Sequence, residues 1–429
     1  MLPESAHLIV SIVLFVLTYA LMLIFQKYRP WIAISSAILF VVLGILPISD
    51  VIGAVDFNVL LMIAGTMGTV ALMIESKMPA LMADVIIEKV PNVKWAIIFL
   101  SLFAGIVSAF IDNVATVLMI APIALAISKR LNTSPVGMII AIAVSSNLQG
   151  AATLVGDTTS ILLGGHLGMN FLDFFVYQGK PGLFWYVELG ALCSLVIVYF
   201  LFRKYKDKIL PGERTKVTDY VPSILMLSTV LLLIVVSIIP GEKHPLTNGL
   251  ICVAIMIVGL VYRQIRRRDF KSVIEPLKEI DFNTILMLLG LFIVVAGISH
   301  AGVIDLVAQL FVTIGGDNLF VIYTLVVWLS VVFSAFIDNI PYVTTMLPVM
   351  SVLGAQFSNP VVLCFGLLTG ATLGGNLTPI GASANITGIG ILRKEGYEVK
   401  NKDFLKIGVP FTLSAIIPAY VLIWVFFGI

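Results

Sequence analysis

Apolar runs about as long as a bilayer is thick follow one another along this chain with little between them. Of its 429 residues, 59% are hydrophobic and 12% charged, about half the charged share of an ordinary soluble domain. A helix through the hydrocarbon core needs about 20 mostly apolar residues. Such runs cover 8–25, 31–48, 57–74, 94–111, 114–128, 135–165, 184–202, 221–239, 247–262, 281–299, 318–337, 340–355, 360–392 and 407–428. They do not alternate, so helices are expected rather than barrel strands. The fold class that follows is an all-α polytopic protein, multi-pass in the cell (plasma) membrane, with the lipid bilayer as its first partner. The run from Leu8 lacks a basic stretch before it and a small-residue cleavage site after it, so it is expected to stay as a span. Three cysteines make no disulfide framework, and a net charge of +2 gives no footprint for nucleic acid.

The two halves of the sequence repeat each other. Val55-Asp56-Phe57-Asn58 recurs as Ile280-Asp281-Phe282-Asn283, and Ser108-Ala109-Phe110-Ile111-Asp112-Asn113 recurs residue for residue from Ser334 to Asn339. Pro122 and Pro348 keep the same offset of 226, and Gly150–Gly156 matches Gly375–Gly381 at 225. Residues 1–202 and 220–429 are therefore expected to be two copies of one unit, joined by a cytoplasmic linker at 203–219.

Charge sets their relative orientation. The segments 27–29, 77–94, 129–130, 203–216, 263–278 and 393–406 hold 24 of the 26 Lys and Arg residues. Basic loops mark the cytoplasmic side. All six fall there only if 94–130 and 318–356 are re-entrant hairpins, the first open to the cytoplasm and the second outward. Each half then has five crossings, one of them discontinuous, plus one hairpin. Five is odd, so the second copy is inverted. Fourteen simple spans would instead scatter basic clusters over both faces.

Asp112 and Asp338 lie within apolar runs, each followed by an Asn, at the expected hairpin tips. An acid at membrane depth is expensive and marks an ion path by default; the same residues also suit helix N-caps. The broken spans supply Asn147, Gln149, Thr153 and Asp157 in one copy and Thr372, Asn376, Thr378 and Asn385 in the other. Discontinuous helices at matching points of inverted halves point to a midplane site. Asp157 has Ala382 as its counterpart, so the charge layout is not two-fold. Three buried acids with no buried Lys or Arg predict a cation or protons as cargo or coupling ion, H⁺ or Na⁺. His166 and His300 have no metal-ligand spacing, and Cys193, Cys252 and Cys364 read as small apolar residues, leaving a thiolate site for soft metalloids as a remote alternative. No cofactor and no metal is expected. Walker, zinc and Ser/His/Asp motifs are absent, so no enzyme is expected and ATP hydrolysis is left to a separate soluble ATPase partner, if there is one.

Phe110-Ile111-Asp112-Asn113, Phe336–Pro341 and Gly374–Asn385 resemble the ion-transporter superfamily. The likeness is nearest to the branch of arsenite/antimonite efflux permeases, P-protein-type permeases and related sodium/proton antiporters. It implies a homodimer with elevator-type alternating access, and by analogy places Asn113, Asn147, Asn339 and Thr372 near the site. The sequence departs from the branch at Gly156-Asp157-Thr158-Thr159-Ser160, where relatives tend to carry Gly-Asp-Pro-Pro-Asn. The Ser-Asn-Thr signature of carboxylate carriers is replaced by Asp-Asn. The expected function is proton-coupled efflux of arsenite, antimonite or a similar small inorganic solute. A sodium/proton antiporter, a sodium- or proton-coupled citrate-like carboxylate transporter and, from another class, an ion channel are the alternatives.

Overall fold

The computed structural model describes residues 4–131, 133–209, 214–241, 243–269, 271–357 and 359–429. Residues 210–213 of the expected linker lie outside the described residues. The first half contains α1 (Glu4–Ile24), α2 (Arg29–Val42), α3 (Val51–Ala54), α4 (Phe57–Glu75), α5 (Met78–Lys89), α6 (Val93–Ser108), α7 (Asn113–Arg130), α8 (Val136–Gly150), α9 (Thr158–Leu167) and α10 (Leu183–Leu201). The second contains α11 (Val221–Ile238), α12 (Thr247–Arg267), α13 (Lys271–Lys278), α14 (Phe282–His300), α15 (Val303–Gly315), α16 (Leu319–Ser334), α17 (Asn339–Gln356), α18 (Pro360–Gly374), α19 (Ser383–Lys394) and α20 (Asn401–Ile423). The same order occurs twice.

Local chemistry starts equivalent helices the same way. Asp56 and Asp281 cap α4 and α14, Asn92 and Asn318 cap α6 and α16, and Asp112 and Asp338 cap α7 and α17. Each side chain accepts a free N–H of the first turn, worth about 1 kcal/mol. Pro122 and Pro348 sit inside α7 and α17.

Packing exchanges helices between the halves. Helix α4 lies against α12, and α14 against α2. A Cβ added at Gly65 would strike the backbone at Cys252, and one at Gly290 would lie 2.6 Å from the carbonyl carbon of Ala33. Close backbone approach through small residues is how membrane helices gain contact when lipid is as apolar as leucine. A second group packs α6 on α8, α16 on α18, and α10 on α20.

Among the described residues, eight helices are long and apolar enough to cross a membrane: His7–Ile24, Phe57–Glu75, Leu183–Leu201, Val221–Ile238, Thr247–Arg267, Phe282–His300, Pro360–Leu377 and Asn401–Gly428. The remaining runs form shorter or less apolar helices. Helices α6 and α8 have 16 and 15 residues, about 24 and 22 Å at 1.5 Å per residue, less than the roughly 30 Å core. Among the described residues, four helices, α3, α5, α13 and α15, fall outside the apolar runs altogether. Helix α5 occupies part of the basic segment 77–94, and α15 is bent 115° from α16. Helix α15 buries Val303, Ile304, Ala308 and Phe311 while Leu306, Leu310 and Ile314 are exposed. Its polar Asp305 and Gln309 hid this two-sided pattern from a search for spans.

Candidate functional site

Two turns and two helix breaks build the site. Helix α6 ends at Ser108, and the turn through Asp112 starts α7; the Asp112 carboxylate accepts from the N–H groups of Val114 (3.0 Å) and Ala115 (3.1 Å). In the second copy Asp338 accepts from Ile340 N–H at 3.2 Å. Each turn rests on the break of its own copy. Thr153 donates its hydroxyl to the Ala109 carbonyl, and Thr378 donates to the Ala335 carbonyl. A Cβ on Gly156 would sit 2.7 Å from the carbonyl oxygens of both Ser108 and Ala109; one on Gly381 would sit 2.9 Å from those of Ser334 and Ala335. Only a residue without a side chain lets the break lie flat on the turn.

A buried amide chain then joins the copies. Asn113 donates to the Asn147 side-chain oxygen at 3.1 Å, and Asn147 donates to the Thr372 carbonyl (2.8 Å) and to the Asn376 oxygen (3.1 Å). Asn376 donates to the Val144 carbonyl at 2.8 Å. Nearby, Thr159 donates to Asp157 at 2.7 Å and shares a 3.0 Å bond with the Thr372 hydroxyl. Asp157 is buried in extended backbone just before α9, with no capping bond of its own.

Asp112, Asn113, Asp157, Asp338 and Asn339 line one cavity of about 170 Å³. Its other wall comes from α4, with Met67 and Val70, and from the start of α14, with Glu279, Asp281 and Thr284. The structure does not bring the other sequence candidates to this space. Asn147, Thr372 and Asn376 form the amide chain behind it, and Thr153 and Thr378 hold the turns. Asn385 donates to the Gly375 and Thr378 carbonyls. Gln149 donates to Glu188 at 2.7 Å. Cys193, Cys252 and Cys364 stand on three different helices, and among the described residues no group of three or more His, Cys, Asp or Glu is arranged to hold a metal.

Sequence reasoning missed Arg29. It assigned this residue to a cytoplasmic basic cluster and saw the acids as lacking any cationic neighbour. Arg29 Nη1 instead donates to Asp338 at 2.9 Å, with both side chains largely buried. The two residues are 309 apart, and only the position of Arg29 at the edge of an apolar run hinted at an inward role.

A second cavity of about 280 Å³ lies where α4 begins and α9 ends, lined by Asp56, His166, Ser299 and Thr344. Asp56 is the repeat counterpart of Asp281, but this space reaches α17 at Thr344, Leu347 and Pro348, short of the turn.

The profile of the CitMHS family, described as citrate transporter, matches residues 13–359 of this chain, about four fifths of it. The chain belongs to that family. The 46 kDa membrane protein of Mycobacterium leprae is 29% identical to this CitMHS member over 97% of this chain and 98% of that protein. The P protein of Mus musculus is 25% identical over 86% of this chain and 53% of its own length. Among solved structures, the YdaH transporter of Alcanivorax borkumensis superposes with a TM-score of 0.58 at 15% identity, covering 88% of this chain and 87% of that one; this likeness concerns the fold. The CitMHS member is a multi-pass plasma-membrane protein and a secondary-active transporter of small solutes or ions, not an enzyme.

Proposed function

We propose that this CitMHS chain moves a citrate-like carboxylate together with a cation, H⁺ or Na⁺, by alternating access. The observation that carries the reading is the shared cavity: both Asp-Asn turns and Asp157 face one space in a member of a citrate-transporter family. The family match favours the carboxylate over the arsenite or antimonite efflux expected from the motifs. The acids suit the cation, since one placed among several carboxylates is held by direct charge attraction in a setting poor in water.

Contacts between helix ends support two inverted copies, 1–202 and 220–429, each with a re-entrant hairpin. The start of α6 bonds to the segment after α10, through Val93 N–H to the Asp207 carbonyl and Lys94 N–H to the Tyr205 carbonyl, each 3.0 Å. Lys129, near the end of α7, pairs with Glu395 at 2.5 Å. Both mouths of the 94–130 hairpin thus meet basic segments. The 318–356 hairpin starts and ends instead against the last residues of the chain. The Phe320 ring lies 4.7 Å from that of Trp424, and Asn359 donates to the Phe427 carbonyl at 2.5 Å. The positive-inside rule then puts the first hairpin's mouth in the cytoplasm and the second's outside. The cavity beside Glu279 and Asp281 adjoins the basic segment 263–278, so this state faces inward.

Counterflow in proteoliposomes tests the reading. Preloaded citrate should drive uptake of labelled citrate, and an imposed H⁺ or Na⁺ gradient should accelerate it. Exchange of arsenite or antimonite without any exchange of carboxylates would overturn it.

A further inference from the structure

The proposed cargo is an anion, yet the cavity is walled by carboxylates. Such a site needs one positive group to recognise a carboxylate, and the ion pair at the second turn holds one next to the cavity wall: Arg29 is not itself part of the lining and meets it through Asp338. Among the described residues, Arg29 is the one Lys or Arg in an ion pair with a carboxylate that lines the cavity.

Its setting suits a group that changes partners. Arg29 is the first residue of α2, followed by Pro30. Its Nε donates to the Met22 carbonyl at 3.2 Å, which fixes the stem of the fork against the end of α1. Nη1 reaches Asp338. A guanidinium carries five N–H donors in a plane, so an anchored fork still presents a bidentate face of the kind that matches a carboxylate. Tyr19, also on α1, holds the same hairpin arm by donating to the Pro341 carbonyl at 2.7 Å and by bonding Thr345. The arm thus keeps a second attachment to α1 when the ion pair opens.

The repeat shows that the ion pair is not needed to form the turn. The equivalent close approaches of Gly65 to Cys252 and of Gly290 to Ala33 match Ala33 with Cys252, an offset of 219 between α2 and α12, so the residue matching Arg29 is the uncharged Asn248. Asp112 caps the same turn in the first copy with backbone N–H groups alone.

We propose that Arg29 is the carboxylate-binding residue of the cavity, held by Asp338 in the empty protein and released to the substrate when Asp338 takes the coupling cation. The exchange balances in charge. One cation joins Asp338, the Arg29–Asp338 bond breaks, and one substrate carboxylate takes the vacated face of the guanidinium. Cation and anion therefore bind together, because each removes the other's competitor. The inference rests on the carboxylate reading of the preceding subsection.

The test is citrate binding to the purified full chain by calorimetry at low and high Na⁺, repeated across a pH series. Wild type should bind citrate more tightly as the cation rises. D338N should bind at least as tightly as wild type at low cation, with the cation dependence flattened. R29K keeps the charge but loses the fork, and should weaken binding about tenfold; R29Q should weaken it about a hundredfold. Because R29Q leaves Asp338 without its partner and can fail to fold, the R29Q/D338N double variant is the decisive one. It leaves neither member of the pair behind without the other and should bind citrate weakly and without cation dependence. If the double variant binds citrate as tightly as wild type, the role of Arg29 is overturned while the carboxylate reading stands. If wild type itself binds no carboxylate in the presence of either cation, both fall.

Discussion

Replacing Gly156 with alanine adds one methyl group where backbone already occupies the space. The new Cβ would lie 2.6 Å from the Gly150 carbonyl oxygen and 2.7 Å from those of Ser108 and Ala109. Real Cβ atoms do not approach closer than about 3.0 Å, so the turn must retreat from the break by a few tenths of an ångström. None of the three obstacles is a flexible side chain that can turn away. Overpacking of this kind costs about 1–3 kcal/mol. The retreat also stretches the Thr153 bond to Ala109 and shifts Asp112, which stands three residues further on. Sites tolerate about 0.5 Å before function suffers, so a roughly tenfold loss of transport rate is expected. Gly381→Ala presses on the matching carbonyls of the other turn and should behave alike. Gly390, inside α19 with nothing within 4 Å of its would-be Cβ, is the control; Gly390→Ala should be neutral or gain up to about 1 kcal/mol from helix propensity. Thermal unfolding of the purified protein and counterflow rates, measured on the three variants together, give the comparison. If Gly156→Ala matches Gly390→Ala in both, the turn is not clamped and the reasoning from close approach is wrong.

Asp112→Asn keeps a capping oxygen and should leave the protein assembled by size-exclusion chromatography while gradient-driven uptake is lost; Asp112→Ala should in addition cost about 1 kcal/mol of stability. Asn147→Leu removes the shared partner of Asn113, Asn376 and the Thr372 carbonyl, and should lower thermal stability by about 3 kcal/mol, read from a melting curve. The Arg214 guanidinium, hydrogen-bonded to half-buried Glu88, holds that carboxyl below its ordinary range. A lowered folded-state value means the contact helps above the usual carboxylate range and is lost as pH falls through the lowered value, so limited proteolysis after residue 203 should quicken in acid and do so less in Glu88→Gln. A cysteine at Ser134, in an otherwise cysteine-free chain, should react with membrane-impermeant maleimide only from the cytoplasmic side; reaction from outside alone would reverse the proposed layout.

The all-helical class was legible because lipid-facing helices need apolar residues all round, which no loop can imitate at such length. Asp112 and Asp338 stood out because a carboxylate is so unlike its apolar neighbours and because the six residues around each are identical. Polarity alone did not reveal direction. Gln149 and Asn147 are both buried amides two residues apart, yet Gln149 meets Glu188 and Asn147 meets the second copy. Nor does a linear pattern show which distant side chain arrives, so Arg29 looked like one more basic residue at a membrane edge. Helix α15 was missed for the opposite reason: Asp305, Gln309 and Thr313 recur every four residues and form one polar stripe on an otherwise apolar helix, which interrupts the run that a span requires.

The exchange of helices between halves bears on how this chain is made. Helix α4 leaves the ribosome long before α12, and α2 earlier still relative to α14. At roughly 5–20 residues per second, the first of each pair waits on the order of 10–50 s for its partner. For that time the small-residue faces at Gly65 and Ala33 lack the helices they pack on, while α6 and α8 of the first half already have each other. Each half therefore completes its packing only with the other, however complete it looks as a sequence. A chaperone or insertase that shelters the small-residue faces of α2 and α4 would act on this protein before its second half exists.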